Sequence, residues 1–244
     1  MEYSHLFLSN EESCERDTIS SLQPQLDSTE RLFNFYFSLY YRQSDDSETE
    51  YSSLDLALLV IHTRIISGFN CLFGLLKRGH YCECQSIQRD IFELIYLCEY
   101  LTKNPEKVDP WWHGEEIKHR HVANNLELPE SVRKMYGSMC DFTHPNIKGA
   151  RSTLVLQPSL EQIYFKYIPE FHKPTAHALL IQQITFMFTS TRQFFQHFEK
   201  FNHFTSEDKV IFDNFYDEWQ KERILWENLV SEGDYEMFPI LYKQ

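Results

Sequence analysis

The sequence predicts an all-α protein, a helical bundle built on a long antiparallel helical hairpin. Apolar residues recur at three- or four-residue steps over residues 54–76 and again over 87–101, which is the period of a helix with one buried face. Only 7 glycines occur in 244 residues, and turn signals this sparse favour long helices over a many-stranded sheet. An aromatic fraction of 16% supplies the apolar area that a packed core requires.

The N-terminal residues 1–53 are predicted to form an acidic helical extension and a linker. The polar first part predicts a loosely docked helix around residues 11–22, and residues 29–41 predict a short aromatic helix. Residues 43–53 are rich in Asp, Ser and Glu and have no apolar period, which is typical of an exposed linker.

The hairpin follows the linker. Lys77 and Arg78 favour the C-terminal end of a helix electrostatically, and Gly79 can take the left-handed conformation that closes it. The second helix is predicted to end at Asn104, because the following proline disfavours a helical conformation there. A connection as short as this one predicts that the two helices pack antiparallel.

Two shorter helices are predicted after the hairpin. Residues 109–124 begin with an Asp-Pro pair, in which Asp caps the helix and Pro fits its first position. Residues 129–144 also begin at a proline, and Pro145 limits this helix to His144 or earlier.

The remaining chain predicts a short strand or extended crossing at 152–156 and two more helices near 174–201 and 206–231. The bundle domain is therefore predicted to span residues 54–232, followed by a C-terminal tail over 233–244.

The net charge of −13 is unevenly distributed. Residues 1–56 hold 12 acidic and 3 basic side chains, and residues 207–236 hold 10 and 3, whereas 57–206 hold 14 and 16. A protein that grips a nucleic-acid backbone normally has a basic stripe. This distribution argues against non-specific duplex binding.

The cysteines and the apolar runs indicate a cytoplasmic protein with free thiols. Among the six cysteines only Cys82 and Cys84 are closely spaced, so no four-ligand zinc pattern is complete. The first residues lack the features of a signal peptide, and polar residues interrupt the apolar run 176–188. No membrane partner is therefore expected.

Arg89 and Glu93 are the first candidate site residues, because they lie four residues apart and share one helix face. An exposed pair of this kind contributes little to stability. A buried pair needs further partners, and would be either a structural lock or a functional site. Both readings are open.

Asp141 and His144 are the second pair of candidates. His144 is predicted to lie at a helix C-terminus, where the helix dipole favours imidazolium, and Asp141 lies one turn earlier. This arrangement suits a proton donor or a structural ion pair, and a capping role for His144 is the alternative.

Four features occur within residues 54–146: an Arg-Gly-x-Tyr turn at residues 78–81, the Arg-x-x-x-Glu helix at 89–93, Tyr136, and His-Pro at 144–145. In these features the chain resembles a large family of uncharacterised bacterial all-helical proteins. Cys84 departs from the pattern, which usually has alanine there. The resemblance implies a helical bundle, loosely related to abortive-infection and HEPN-type helical proteins, a class that includes metal-independent ribonucleases of phage defence.

Three functions are compatible with these observations. The first is a non-catalytic interaction or regulatory module, or a defence-associated one, with a protein partner or a second copy of the chain. The second is a HEPN-like ribonuclease acting on RNA, for which Arg192 and His197 have the required spacing but a chance match is expected. The third is a metal-binding bundle that uses carboxylate–histidine pairs one turn apart, at Glu116/His119 and Asp141/His144.

The predicted site is a cluster of polar side chains contributed by two helices. Arg89, Glu93, Asp141 and His144 are its candidate catalytic residues, and Tyr81 and Tyr136 are predicted to line it. No cofactor and no resident metal are expected, and whether the cluster is catalytic or structural is open.

Overall fold

The computed structural model describes residues 3–45, 48–143, 154–157, 162–165 and 169–231. Its elements in chain order are the helices α1 (Tyr3–Ser44), α2 (Ser53–Lys77), α3 (Tyr81–Lys103), α4 (Val108–Trp112), α5 (His119–Asn125) and α6 (Glu130–Thr143), the strands β1 (Leu154–Gln157) and β2 (Gln162–Phe165), and the helices α7 (Lys173–Phe198) and α8 (Ser206–Ser231). Short 3-10 turns cover Pro105–Lys107 and Glu199–Phe201. The protein is an all-α helical bundle, as predicted.

Helix α1 is long and bent at its middle. Leu22 has a non-helical conformation (φ −134°, ψ 20°) two residues before Pro24. Proline has no N–H for the helical hydrogen bond and its ring crowds the preceding turn, which explains the bend. On the far side of it, Tyr36 and Leu39 are completely buried, and this half of α1 packs against α7.

The first half of α1 contacts the turn between α2 and α3. Thr18 donates a hydrogen bond to the Lys77 carbonyl (3.2 Å), and His80 Nε2 lies 2.6 Å from Glu11 Oε1. The side chains of Cys14, Thr18 and Leu22 are buried. The expectation of a loosely docked helix was therefore wrong. Cys14 and Leu22 lie on the face of this polar segment that meets the bundle, whereas Ile19 is exposed.

The linker prediction was wrong at both ends, because residues 43 and 44 belong to α1 and residue 53 begins α2. Gln43 lies within α1, is fully buried, and donates a hydrogen bond to Tyr51 Oη at 2.8 Å. Tyr51 in turn donates to the Gln43 carbonyl. The predicted domain boundaries after residues 53 and 232 stay predictions.

The α2–α3 hairpin has the predicted antiparallel arrangement. Gly68 faces Ile91, while His62 approaches Cys98 further along, so the two helices run in opposite directions. Helix α2 ends at Lys77, and Gly79, the residue after its C-cap, has a left-handed φ of +82°. The His80 N–H donates to the Leu75 carbonyl and the Gly79 N–H to that of Leu76, the paired bonds of a Schellman cap.

Among the described helices, α2 has the length and the composition to cross a membrane. Half of its most apolar stretch is buried inside the bundle. It packs against α1, α3 and α7. Core helices of bundles share this composition.

The region after α3 differs from the prediction of one helix over 109–124. It forms two short helices, α4 and α5, separated by an irregular segment. Gly114 takes a left-handed conformation (φ +89°), and its N–H donates to the Trp111 carbonyl. A glycine in this conformation ends a helix. The sequence-based prediction treated Gly114 as a helix-interior residue.

The second half of the chain matches its predictions more closely. Helix α6 packs against α3, and α7 lies at the centre of the bundle against α1, α2, α3 and α8. Strands β1 and β2 pair antiparallel, with Leu154 opposite Phe165. Residues 154–156 of the predicted β-branched patch thus supply most of one strand of a two-stranded hairpin.

A buried carboxylate joins α2 to α7. Asp55 Oδ2 accepts hydrogen bonds from the N–H (2.9 Å) and Oγ (2.7 Å) of Ser52, which completes a capping box. Asp55 Oδ1 accepts from His197 Nε2 and Lys200 Nζ, each at 2.6 Å. Burial opposes ionisation of Asp55, but the hydrogen bonds from Lys200, Ser52 and His197 outweigh it and lower its pKa to about 2.

A buried histidine of α2 contacts α1 and α3. His62 is 1% exposed, and its Nδ1 forms a hydrogen bond with Tyr36 Oη. Its Nε2 lies 4.0 Å from Cys98 Sγ, and Phe194 of α7 packs edge-on against the ring at 5.0 Å. Burial, together with the nearby His197, lowers the pKa of His62 to about 3. The imidazole is therefore neutral at physiological pH.

Candidate functional site

Arg89 and Glu93 form an ion pair on the side of α3 that faces α6. Arg89 Nε lies 2.9 Å from Glu93 Oε1, and the two side chains are 25% and 31% exposed. Burial disfavours the charged guanidinium, but the hydrogen bond from Arg89 to Glu93 outweighs it and raises the pKa of Arg89. The pair is half-buried, between the two alternatives that the sequence left open.

Tyr136 of α6 completes this group. Its Oη donates a hydrogen bond to Glu93 Oε1 at 2.6 Å, so one carboxylate oxygen accepts from both Arg89 and Tyr136. The Tyr136 ring stacks on Phe92 at 5.5 Å. Burial raises the pKa of Tyr136, and its bond to the Glu93 carboxylate raises it further. The phenol therefore stays protonated and remains a donor at neutral pH.

His119, the first residue of α5, packs against Tyr136. The ring centroids are 4.0 Å apart, and the Phe92 ring lies 5.6 Å from that of His119. Burial lowers the pKa of His119, with Arg89 acting in the same direction and Glu93 opposing it. Its Nδ1 is buried without a hydrogen-bond partner among the described residues. The imidazole is thus neutral and retains hydrogen-bonding capacity.

A cavity of about 250 Å³ opens beside this group. Its walls come from three separate parts of the chain, namely α2, α3 and the segment that leads into α5. The lining residues are Arg64, Asp90, Glu93, Leu94, Leu97, Ile117, His119 and Val122. Four of these are apolar and four carry polar groups. Small-molecule sites combine apolar walls with a few polar groups, and this cavity contains both.

Two charges of the cavity wall are not used by the fold. Arg64 and Asp90 are both exposed, and neither forms an ion pair or hydrogen bond with another described residue. Glu93 Oε2, the oxygen that Arg89 and Tyr136 leave, also forms no hydrogen bond within the described part of the chain. These groups are free to contact a ligand.

The predicted site residues are brought together in part. Arg89, Glu93 and Tyr136 meet as described, whereas His144 and the side chain of Asp141 lie outside the described residues. Tyr81 begins α3, two turns before Arg89, and its Oη accepts a hydrogen bond from the His172 N–H at 3.1 Å. Burial raises its pKa strongly. The predicted four-residue cluster, and the lining role of Tyr81, stay predictions.

The other sequence candidates have different surroundings. His197 is bound to Asp55, while Arg192 is exposed on the same helix. The pair with ribonuclease spacing is thus not a joint site within one chain. Among the described residues no group of three or more His, Cys, Asp or Glu is placed to hold a metal ion.

Three cavity residues were not in the predicted site, namely Arg64, Asp90 and His119. Arg64 had a sequence signal, since it is the only charged residue between Asp55 and Lys77. A lone charge in an otherwise apolar helix indicates an outward face or a site. His119 had been considered only as a metal ligand.

Comparison of the chain with protein-family models, with curated proteins and with solved structures found no match. The class of protein is therefore defined by its fold and site alone. It is a helical bundle with a small cavity whose lining is part charged and part apolar.

Replacing Tyr136 by Phe is expected to lower the free energy of unfolding by about 1 kcal/mol, because Glu93 loses one hydrogen bond while the aromatic packing is kept. Urea unfolding followed by circular dichroism measures this. Tyr41→Phe, at an exposed position of α1, is the control and should be neutral. Equal effects of the two substitutions would show that the bond to Glu93 contributes nothing.

Proposed function

We propose that this protein is a non-catalytic regulatory module of the cytoplasm that binds a small molecule in the cavity between α2, α3 and α5. Ligand binding would be communicated to a protein partner or to a second copy of the chain. The observation that carries the proposal is the cavity itself, whose lining combines the charged side chains of Arg64 and Asp90 with four apolar residues. The resemblance described above adds an association with phage defence as an expectation.

The pairing of the central charges supports a binding role rather than a catalytic one. Arg89 and Tyr136 both donate to Glu93, so the guanidinium and the carboxylate largely satisfy each other. A general base needs a free lone pair within reach of the substrate proton. In this group Glu93 Oε1 already accepts from both donors, so this oxygen is not available to take a substrate proton.

The position of the cavity supports regulation. It is bounded by the α2–α3 hairpin and by the short α5, and α6 contacts the same region through Tyr136 and His119. A ligand that contacts all of these elements binds best to one arrangement of them. Binding therefore shifts the population toward that arrangement.

A cavity-filling substitution tests the proposal. Ligand-observed NMR with a chemically diverse fragment set should identify compounds that bind the wild-type chain and lose binding in Leu97→Trp, where the larger ring occupies the cavity. Leu225→Trp, at an exposed position of α8, should bind as wild type does. If no fragment distinguishes the two variants, the cavity is not a binding site and the proposal fails.

The ribonuclease alternative predicts a different result. His119 would then act as the acid or base, and purified protein should cleave single-stranded RNA in the presence of EDTA. His119→Ala should abolish this cleavage, whereas His113→Ala, at an exposed position in the segment after α4, should retain it. Cleavage that depends on His119 would overturn the non-catalytic proposal.

A further inference from the structure

We propose that the ligand of this cavity is a small zwitterion, an α-amino acid with an apolar side chain. The inference rests on the proposed function, since it names the chemical class of the molecule that the cavity binds. Three parts of the lining carry it, one for each part of such a ligand.

The first part is a pair of carboxylates on α3. Asp90 and Glu93 are three residues apart and therefore neighbours on one helix face. Asp90 has no partner among the described residues, and Glu93 keeps Oε2 available. Two carboxylates on one wall match the three N–H donors of an ammonium group.

The second part is the guanidinium of Arg64 on α2. It lines the same cavity as Asp90, and the two side chains do not form an ion pair with each other. The rigid fork of a guanidinium binds a carboxylate through two parallel hydrogen bonds. Arg64 is therefore placed to bind the anionic group of the same ligand.

The third part is the apolar wall. Leu94 and Leu97 continue the α3 face that begins with Asp90 and Glu93, because the four positions follow one another at steps of three, one and three residues. Ile117 and Val122 close the cavity from the segment leading into α5 and from α5 itself. This wall provides the surface against which an aliphatic side chain loses its contact with water.

The charge balance and the size of the cavity limit the chemical class of the ligand. The charge of Glu93 is offset by Arg89, and that of Asp90 by Arg64, so the site and its neighbours are together neutral. A ligand with one charge satisfies one wall and leaves the other unpaired, whereas a zwitterion satisfies both. A volume of about 250 Å³ lies below the range that drug-sized ligands occupy, roughly 300–1,000 Å³. The ligand is thus the size of a small metabolite.

Isothermal titration calorimetry with L-leucine tests the inference. L-Leucine should bind the full chain, while 3-methylbutylamine, which lacks the carboxylate, and 4-methylpentanoate, which lacks the ammonium, should each bind at least about tenfold more weakly. Arg64→Gln should weaken L-leucine about tenfold and leave the amine unchanged. Asp90→Asn should weaken L-leucine and the amine alike.

Matched control variants and a second set of ligands distinguish failure of the ligand class from failure of the proposed function. Arg192→Gln and Asp213→Asn change exposed charges elsewhere and should bind L-leucine as wild type does. If L-leucine fails to bind while other fragments bind in a manner blocked by Leu97→Trp, the ligand class is wrong and the proposed function stands. If no compound binds, both fail. If the control substitutions lower the affinity for L-leucine as much as Arg64→Gln does, the assignment of the ligand carboxylate to Arg64 is wrong.

Discussion

Acidification from about pH 7.5 to about pH 5 is expected to lower the free energy of unfolding by about 2 kcal/mol through His62 alone. The folded-state pKa of His62 is about 3, whereas the unfolded value is near 6.5. Between these values the unfolded chain binds a proton that the folded chain does not bind. Stability is therefore fully present above about pH 6.5 and falls as the pH decreases toward 3.

The variant His62→Asn isolates this contribution. Asparagine keeps an acceptor near Tyr36 Oη but does not titrate, so the variant should be less stable at about pH 7.5 and show a smaller loss on acidification. Urea unfolding at several pH values between these limits measures both quantities. His5→Asn, which changes an exposed residue of α1, should keep the pH dependence of the wild type. An unchanged slope in His62→Asn would mean that another group is responsible.

The variant Asp55→Ala is expected to lose about 3 kcal/mol of the free energy of unfolding at neutral pH. The substitution removes the capping box at the start of α2 and leaves the His197 Nε2–H without its acceptor in a site where that side chain is only 12% exposed. Lys200 is half exposed, so its ion pair contributes little to this loss.

Chemical denaturation of three variants checks the role of Asp55. Asp55→Asn keeps one acceptor oxygen and should lose less than Asp55→Ala. Asp213→Ala, at an exposed position of α8, should stay within about 0.5 kcal/mol of wild type. A loss from Asp55→Ala no larger than that of the control would show that the link from α2 to α7 is energetically unimportant.

The hairpin was predictable because its information is local. The apolar period of α2 and α3 gives their buried faces, and the Lys-Arg-Gly sequence at 77–79 gives the point where the chain reverses. The first half of α1 was not predictable in the same way. Its few buried residues, such as Cys14 and Leu22, are spaced widely among polar ones, and their role depends on what they contact.

In the candidate site, too, some features follow from local sequence and others depend on packing. The pairing of Arg89 with Glu93 follows from their spacing on one helix, and Tyr136 was identified through the family resemblance. The cavity depends on Arg64, Asp90 and His119, which come from three elements. Their proximity results from the packing of α2, α3 and α5, and no periodicity within one segment carries that information. The position of His119 at the start of α5 also depends on the interruption of the helix at Gly114, which the sequence did not reveal.

The bonds that fix the first half of α1 to the α2–α3 turn have a consequence for the order of folding. Thr18 and Lys77 are 59 residues apart in the chain, and Glu11 and His80 are 69 apart. During synthesis the opening helix emerges first, yet it finds these partners only after residue 80 has left the ribosome. Contacts between distant residues carry a large loop-closure cost. We therefore expect the first half of α1 to dock only after the α2–α3 hairpin has formed.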